Sequence, residues 1–83
     1  MLVDLAWDLN SAVDLAGYRV YYGLSSGIYS TFIEVGTEVL DAQITVRDGA
    51  LVYFAISAFD LAGNESVFSD ELTAINKYTN FRL

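Results

Sequence analysis

The run Leu51-Val52-Tyr53-Phe54-Ala55-Ile56-Ser57-Ala58-Phe59, followed at once by Asp60-Leu61-Ala62-Gly63-Asn64-Glu65-Ser66, decides how this chain is read. Nine residues alternate strictly: Val52, Phe54, Ile56 and Ala58 fall on one side, Tyr53, Ala55, Ser57 and Phe59 on the other. A two-residue period rich in aromatic and β-branched side chains marks a strand that lies in a sheet. The polar break after it holds an Asp and a Gly, residues that start and relax tight turns.

The same grammar extends outward in both directions. Val3, Leu5 and Trp7 share one face of a strand, with Asp4 and Ala6 opposite. Tyr18, Val20 and Tyr22 do the same, and Leu40, Ala42, Ile44 and Val46 share a third face. Thr31 to Val35 and Val67 to Ala74 supply two more strands. Turns are signalled at Asp8–Gly17, Ser25-Ser26-Gly27 and Asp48-Gly49. Six short strands without a helical period predict an all-β chain, folded as an antiparallel sandwich.

Composition narrows the function. Eighty-three residues make one domain, which buries only roughly 60% of its unfolded surface. The 54% apolar content is high for such a chain, so apolar surface fills the core or meets a partner. Histidine and cysteine are absent, which removes the commonest general base, the commonest transition-metal ligand and any disulfide. The net charge of −7, with Arg19, Arg47, Lys77 and Arg82 as the only basic residues, repels phosphate backbones and argues against nucleic acid. No apolar run is long enough to insert in a bilayer. Met1 leads straight into a strand-like run, with no basic leader or cleavage site in view.

Several stretches together resemble a bacterial extracellular fibronectin type III domain. They are Val3-Asp4-Leu5-Ala6-Trp7-Asp8, Asp14-Leu15-Ala16-Gly17-Tyr18-Arg19-Val20-Tyr21-Tyr22-Gly23, Tyr53 through Ser66, and Phe68-Ser69-Asp70-Glu71-Leu72. The resemblance implies an immunoglobulin-like sandwich with strands B, C, C′, E, F and G at residues 2–7, 17–23, 29–35, 38–46, 51–59 and 66–74. It implies that C pairs with F and that Trp7 is the core tryptophan, whose buried N–H needs a partner. Two departures stand out. The position of the family's corner tyrosine is Val52, with Tyr53 pointing the other way. Strand A has no counterpart before residue 2, so it is missing or supplied by another segment, and B is expected to be a bare edge. A covering strand that buries two or three aliphatic side chains adds ~1.5–3 kcal/mol for each. Residues 1–75 are therefore read as the sandwich, and residues 76–83, apolar at Tyr78, Phe81 and Leu83, as a tail that pairs in cis or in trans.

Candidate sites follow. Asp-Leu-Ala-Gly occurs at Asp14–Gly17 and again at Asp60–Gly63. The resemblance places both loops at one pole, where Asp8, Asp14, Asp60, Asn64 and Glu65 are candidate calcium ligands, although no calcium-loop spacing is present. Turn formation is the simpler role for them. Asp70 and Glu71 are adjacent on a strand and face opposite ways, so they cannot act as an acid/base pair on one substrate. No activated nucleophile is recognisable, and no RGD tripeptide lies in the Asp60–Ser66 loop. The expectation is a protein that is not an enzyme and needs no cofactor. Val3, Leu5, Tyr21, Tyr53, Phe59, Tyr78, Phe81 and Leu83 are the interface candidates, the middle three as an outward aromatic strip. The expected role is a structural or interaction module of a bacterial extracellular or cell-surface protein. Its partner is a neighbouring domain or subunit that covers the B edge. The alternatives are a subunit of a pilus-like filament completed by a partner chain and an auxiliary carbohydrate-binding module.

Overall fold

A computed structural model describes residues 2–8, 13–47, 49–75 and 80–82. Seven strands occur there, and no helix among the described residues: β1 (Leu2–Ala6), β2 (Leu15–Gly23), β3 (Thr31–Val35), β4 (Asp41–Thr45), β5 (Leu51–Asp60), β6 (Leu72–Ile75) and β7 (Asn80–Arg82). They form two sheets, ordered β4-β1-β7 and β3-β2-β5-β6. Every pairing is antiparallel except β1 with β7.

The inward faces follow the two-residue period. Val3, Leu5, Trp7 and Ile44 from the smaller sheet meet Tyr18, Val20, Val52, Phe54, Ile56 and Ala74 from the larger one. Phe54, Leu5, Val3 and Val20 are the largest fully buried side chains, each a gain of ~1.5–3 kcal/mol over exposure. Trp7 lies 5.8 Å from Tyr18, ring to ring, which bridges the layers. Trp7 Nε1, expected to donate, is buried without a hydrogen-bond partner among the described residues, as is Asp4 Oδ1. Val52 is buried and Tyr53 half-buried on the opposite face, as their parity requires.

Three expectations are corrected. First, the β1 edge is not left for a neighbouring subunit: this chain's own tail lies on it, the cis option of the sequence reading. Asp4, Leu5 and Ala6 are in parallel register with Asn80, Phe81 and Arg82, so the end of this chain takes the flank that a preceding strand would fill. Val3 and Leu5, offered as interface residues of that edge, are 0% and 1% exposed in the core.

Second, the final long strand does not run from residue 66. The β5–β6 ladder begins at Leu72, and residues 66–71 form an irregular strap along β5. Two serines replace the ladder there. Ser69 N–H donates to Ile56 O (2.9 Å) while Ser69 Oγ accepts from Ile56 N–H (3.0 Å). Ser66 brackets Ala58 in the same way, at 2.8 and 2.9 Å. A hydroxyl can replace a carbonyl as acceptor, so β5 stays satisfied although the strap is not extended.

Third, Gly17 is not a turn residue. It sits in β2 beside an irregularity in the β2–β5 register, where a Cβ would come within 2.3 Å of Val35 O and 3.1 Å of the Phe59 ring.

Candidate functional site

The outer face of the larger sheet carries the richest side-chain chemistry. Antiparallel register sets Arg19 between Glu34 and Ser57, and Tyr21 between Phe32 and Ala55. Ala55 and Ser57 point outward by parity, yet they are 0% and 2% exposed. The strap folds back over this face, bringing Glu65 to Ser57 and Phe68 to Tyr21. A thin third layer results.

Glu65 organises its polar half. Oε2 accepts hydrogen bonds from Ser57 Oγ and from Tyr21 OH, the latter at 2.5 Å. Oε1 accepts from Arg19 Nη1 at 2.8 Å, while Arg19 Nε donates to Glu34 Oε1, also at 2.8 Å. The hydrogen bonds from Ser57 and Tyr21, then the bond and charge of Arg19, hold the Glu65 carboxyl below its usual pKa against the opposing effect of burial. Tyr21 moves upward, through burial first and then through its bond to Glu65. The guanidinium of Arg19 also lies 4.3 Å from the Phe59 ring centroid and 5.7 Å from that of Phe32.

The aromatic half is a cluster around Tyr21. Its ring lies 5.0 Å from Phe32, 4.8 Å from Phe68 and 6.2 Å from Tyr29, and Tyr29 meets Phe68 edge-on at 5.4 Å. Phe32 and Phe68 remain 50% and 48% exposed. Glu71 closes the far side. It accepts from Ser26 Oγ (2.6 Å), Gly27 N–H (2.8 Å) and Tyr29 OH (2.7 Å), and so ties the β2–β3 turn to the strap. Gly27 reaches this geometry with φ +74°. Burial, then the bond to Glu71, pushes the Tyr29 hydroxyl up to about 12, and the bond from Ser26, then that from Tyr29, lowers Glu71.

Of the candidate calcium ligands, Asp14, Asp60, Asn64 and Glu65 line one open cavity, and Asp8 is not among its lining residues. Asp60 Oδ1 accepts from the N–H of Ala62 and Asn64 at 3.0 and 2.8 Å, and Asn64 Nδ2 donates to Oδ2 at 3.2 Å. These bonds, Asn64's backbone N–H foremost, lower the Asp60 pKa, and Gly63 completes the turn at φ +90°. Asp14 contributes its carbonyl, which accepts from Leu61 N–H at 2.9 Å. Glu65 is turned onto the sheet, and Asp8 lies exposed at the end of β1. No group of three metal-binding side chains occurs among the described residues.

Of the interface candidates, Tyr21, Tyr53 and Phe59 are half-buried rather than a free strip, and Tyr53 stands apart from the ring cluster. Tyr78 and Leu83 lie outside the described residues, and Phe81 is placed only through its backbone register. The sequence reading missed Phe32, Phe68 and Tyr29. Phe32 was within reach, since antiparallel pairing of two alternating strands puts it opposite Tyr21. Phe68 was not, because it comes from an irregular segment.

No protein-family model matches the chain, and no solved structure does. It is 34% identical over 74 residues to an amylopullulanase of Thermoanaerobacter thermohydrosulfuricus, and 32% identical over 77 residues to one of Thermoanaerobacterium thermosulfurigenes. These alignments take in 87% and 92% of this chain but 5% and 4% of the two enzymes. The chain thus spans about one-twentieth of the length of the curated relatives it matches. It is an all-β unit similar to a small segment of these two amylopullulanases.

Proposed function

We propose that the chain is a non-catalytic accessory module of fibronectin type III kind, working in an extracellular or cell-surface protein as a rigid spacer and contact unit. One observation carries this reading: nearly the whole sandwich aligns with a very small part of much longer enzymes. The chemistry of the outer face agrees with it. A base must be free to take a proton, whereas Glu65 is held by Arg19, Tyr21 and Ser57, and Glu71 by the β2–β3 turn. Donation of a strand to β1, the basis of the filament alternative, finds Asp4–Ala6 already paired with β7. The test is direct: the purified chain is incubated with pullulan and starch and reducing ends are counted. None are expected above buffer, and turnover that survives repurification overturns the reading.

A second reading is favoured by the relatives' names together with the two half-exposed rings. Phe32 and Phe68 offer apolar faces beside Arg19, Glu34 and Glu65, a combination suited to stacking and hydrogen-bonding a sugar. Affinity electrophoresis in pullulan or amylopectin gels checks it. Retardation that disappears in Phe32→Ala/Phe68→Ala supports carbohydrate binding, and unretarded migration of the parent chain removes it.

A further inference from the structure

Between the Asp60 turn and β6 the chain leaves the ladder over residues 66–71, and this strap is built unlike the rest of the sandwich. None of its side chains belongs to the core, and Val67 and Phe68 are 89% and 48% exposed. A cavity of about 350 Å3 lies against it, lined by Val67 and Phe68 from the strap and by Tyr18, Ile56 and Ala58 from the larger sheet, among others. Its backbone is joined to β5 by the hydrogen bonds that Ser66 and Ser69 exchange with Ala58 and Ile56. Both ends are fixed more firmly. Upstream, Phe59 and Glu65 form a bridge beside the turn between Asp60 and Asn64, and downstream the pairing of Phe54 with Leu72 begins the β6 ladder.

Side-chain chemistry holds the downstream half of the strap in place. Glu71 takes three donors of the β2–β3 turn, Ser26 Oγ, Gly27 N–H and Tyr29 OH, at 2.6, 2.8 and 2.7 Å. With that clasp shut, the Phe68 ring sits 4.8 Å from Tyr21 and 5.4 Å from Tyr29, and Ala55 and Ser57 are sealed from water. A segment with little buried apolar surface, no ladder and anchored ends has the makings of a unit that opens by itself while the core stays closed.

We propose that residues 66–71 are a lid on the edge of β5, with Glu71 as its clasp, and that the lid lifts as one piece from a sandwich that stays folded. Closed, the outer face presents the half-exposed rings of Phe32 and Phe68 together. Open, Phe68 leaves Tyr21, and the N–H and C=O groups of Ile56 and Ala58 become a short free strand edge. A partner on this face therefore meets two rings in one state, and one ring beside an open edge in the other. The clasp selects between them, because freeing three donors from Glu71 weakens the closed state and touches nothing in the core. This inference goes beyond the module reading and does not depend on it.

Amide hydrogen exchange followed by NMR at pH 7 tests it, since neighbouring residues of β5 report different events. Successive N–H groups of a strand point to opposite sides, so Ile56 and Ala58 face the strap while Ala55 and Ser57 face β2. In the parent, the amides of Ile56, Ala58, Ser66 and Ser69 are expected to share one protection, well below that of Ala55 and Ser57. Glu71→Ala is expected to speed all four by about tenfold, the low end for bonds to a carboxylate because this one is exposed. Val52 and Phe54, whose N–H groups face β6, are expected to keep their parent rates, which shows that the variant is folded. Glu71→Gln keeps an acceptor oxygen and is expected to fall between the two. Protection of the four amides equal to that of Ala55 and Ser57 in the parent overturns the lid, and unchanged rates in Glu71→Ala overturn the clasp. Acceleration confined to Ser69 and Ile56 is fraying next to Glu71 and overturns lifting as one piece. Equal acceleration at Val52 and Phe54 makes Glu71 a support of the whole fold and overturns the proposal outright.

Discussion

Removing the Glu65 carboxylate by Glu65→Ala strips three donors of their acceptor at once. Ser57 Oγ is left in a site 2% exposed, while Tyr21 OH and Arg19 Nη1 regain partial contact with water. A hydrogen bond to a charged group contributes ~1.5–3 kcal/mol, and a buried donor left unpaired costs ~1–3 kcal/mol. The Glu65 side chain is 26% exposed, so solvent screens part of the effect and a total near 2 kcal/mol is expected. For a domain of this size that lowers the melting temperature by roughly 8–16 °C. Urea unfolding at pH 7 reads it as a lower midpoint at unchanged slope. A cycle with Ser57→Ala isolates the shared bond, with a coupling of ~1 kcal/mol expected. The pH dependence gives an independent check. Because the folded-state pKa lies below the ordinary glutamate value of 4.5, this stabilisation is fully present above that value. It is lost as pH falls through the folded-state pKa, when the carboxylate takes up a proton. The parent and the variant therefore converge on acidification below pH 4.5. Equal midpoints at pH 7, or a gap that persists unchanged to pH 2, would refute the account of Glu65 as the organiser of the outer layer.

Two further outcomes follow from the backbone. Gly17→Ala drives a Cβ against Val35 O at 2.3 Å and is expected to cost roughly 3 kcal/mol, whereas Gly36→Ala meets open space and stays within about 0.5 kcal/mol of the parent. Thermal melts of the two variants side by side check both numbers. Deleting residues 76–83 removes β7 from β1, and is expected to lower the melting temperature and to speed amide exchange at Leu5 and Ala6. Unchanged exchange there would count against the ladder.

The inner faces were legible because the core obeys a two-residue period. Val3, Leu5, Trp7, Val20, Val52, Phe54 and Ile56 all lie where alternation puts them. The outer face was less so, for a physical reason. Parity gives the direction of Ala55 and Ser57 but not what lies above them, and the layer that buries them comes from a strap without periodicity. Ser66 and Ser69 have no pattern that announces a hydroxyl standing in for a carbonyl. Asp60 was readable as a turn residue, since an Asp with a Gly three places on is a local motif. Gly17, the same tetrapeptide's glycine, was not, because its constraint is the distant Val35. The occupied flank of β1 was legible only as one of two options for the tail, in cis or in trans, because parallel pairing between distant segments leaves no local trace that chooses between them.

That last pairing sets a clock on assembly. Leu5 leaves the ribosome about 76 residues ahead of Phe81, its neighbour across the ladder. At ~5–20 residues per second, β1 waits roughly 4–15 s for it, with only β4 beside it in the meantime. Such distant closure slows the final step relative to a fold built from local contacts. During that interval one side of the nascent sheet is open to other nascent chains, so crowding on a polysome is where this domain is most exposed to mispairing.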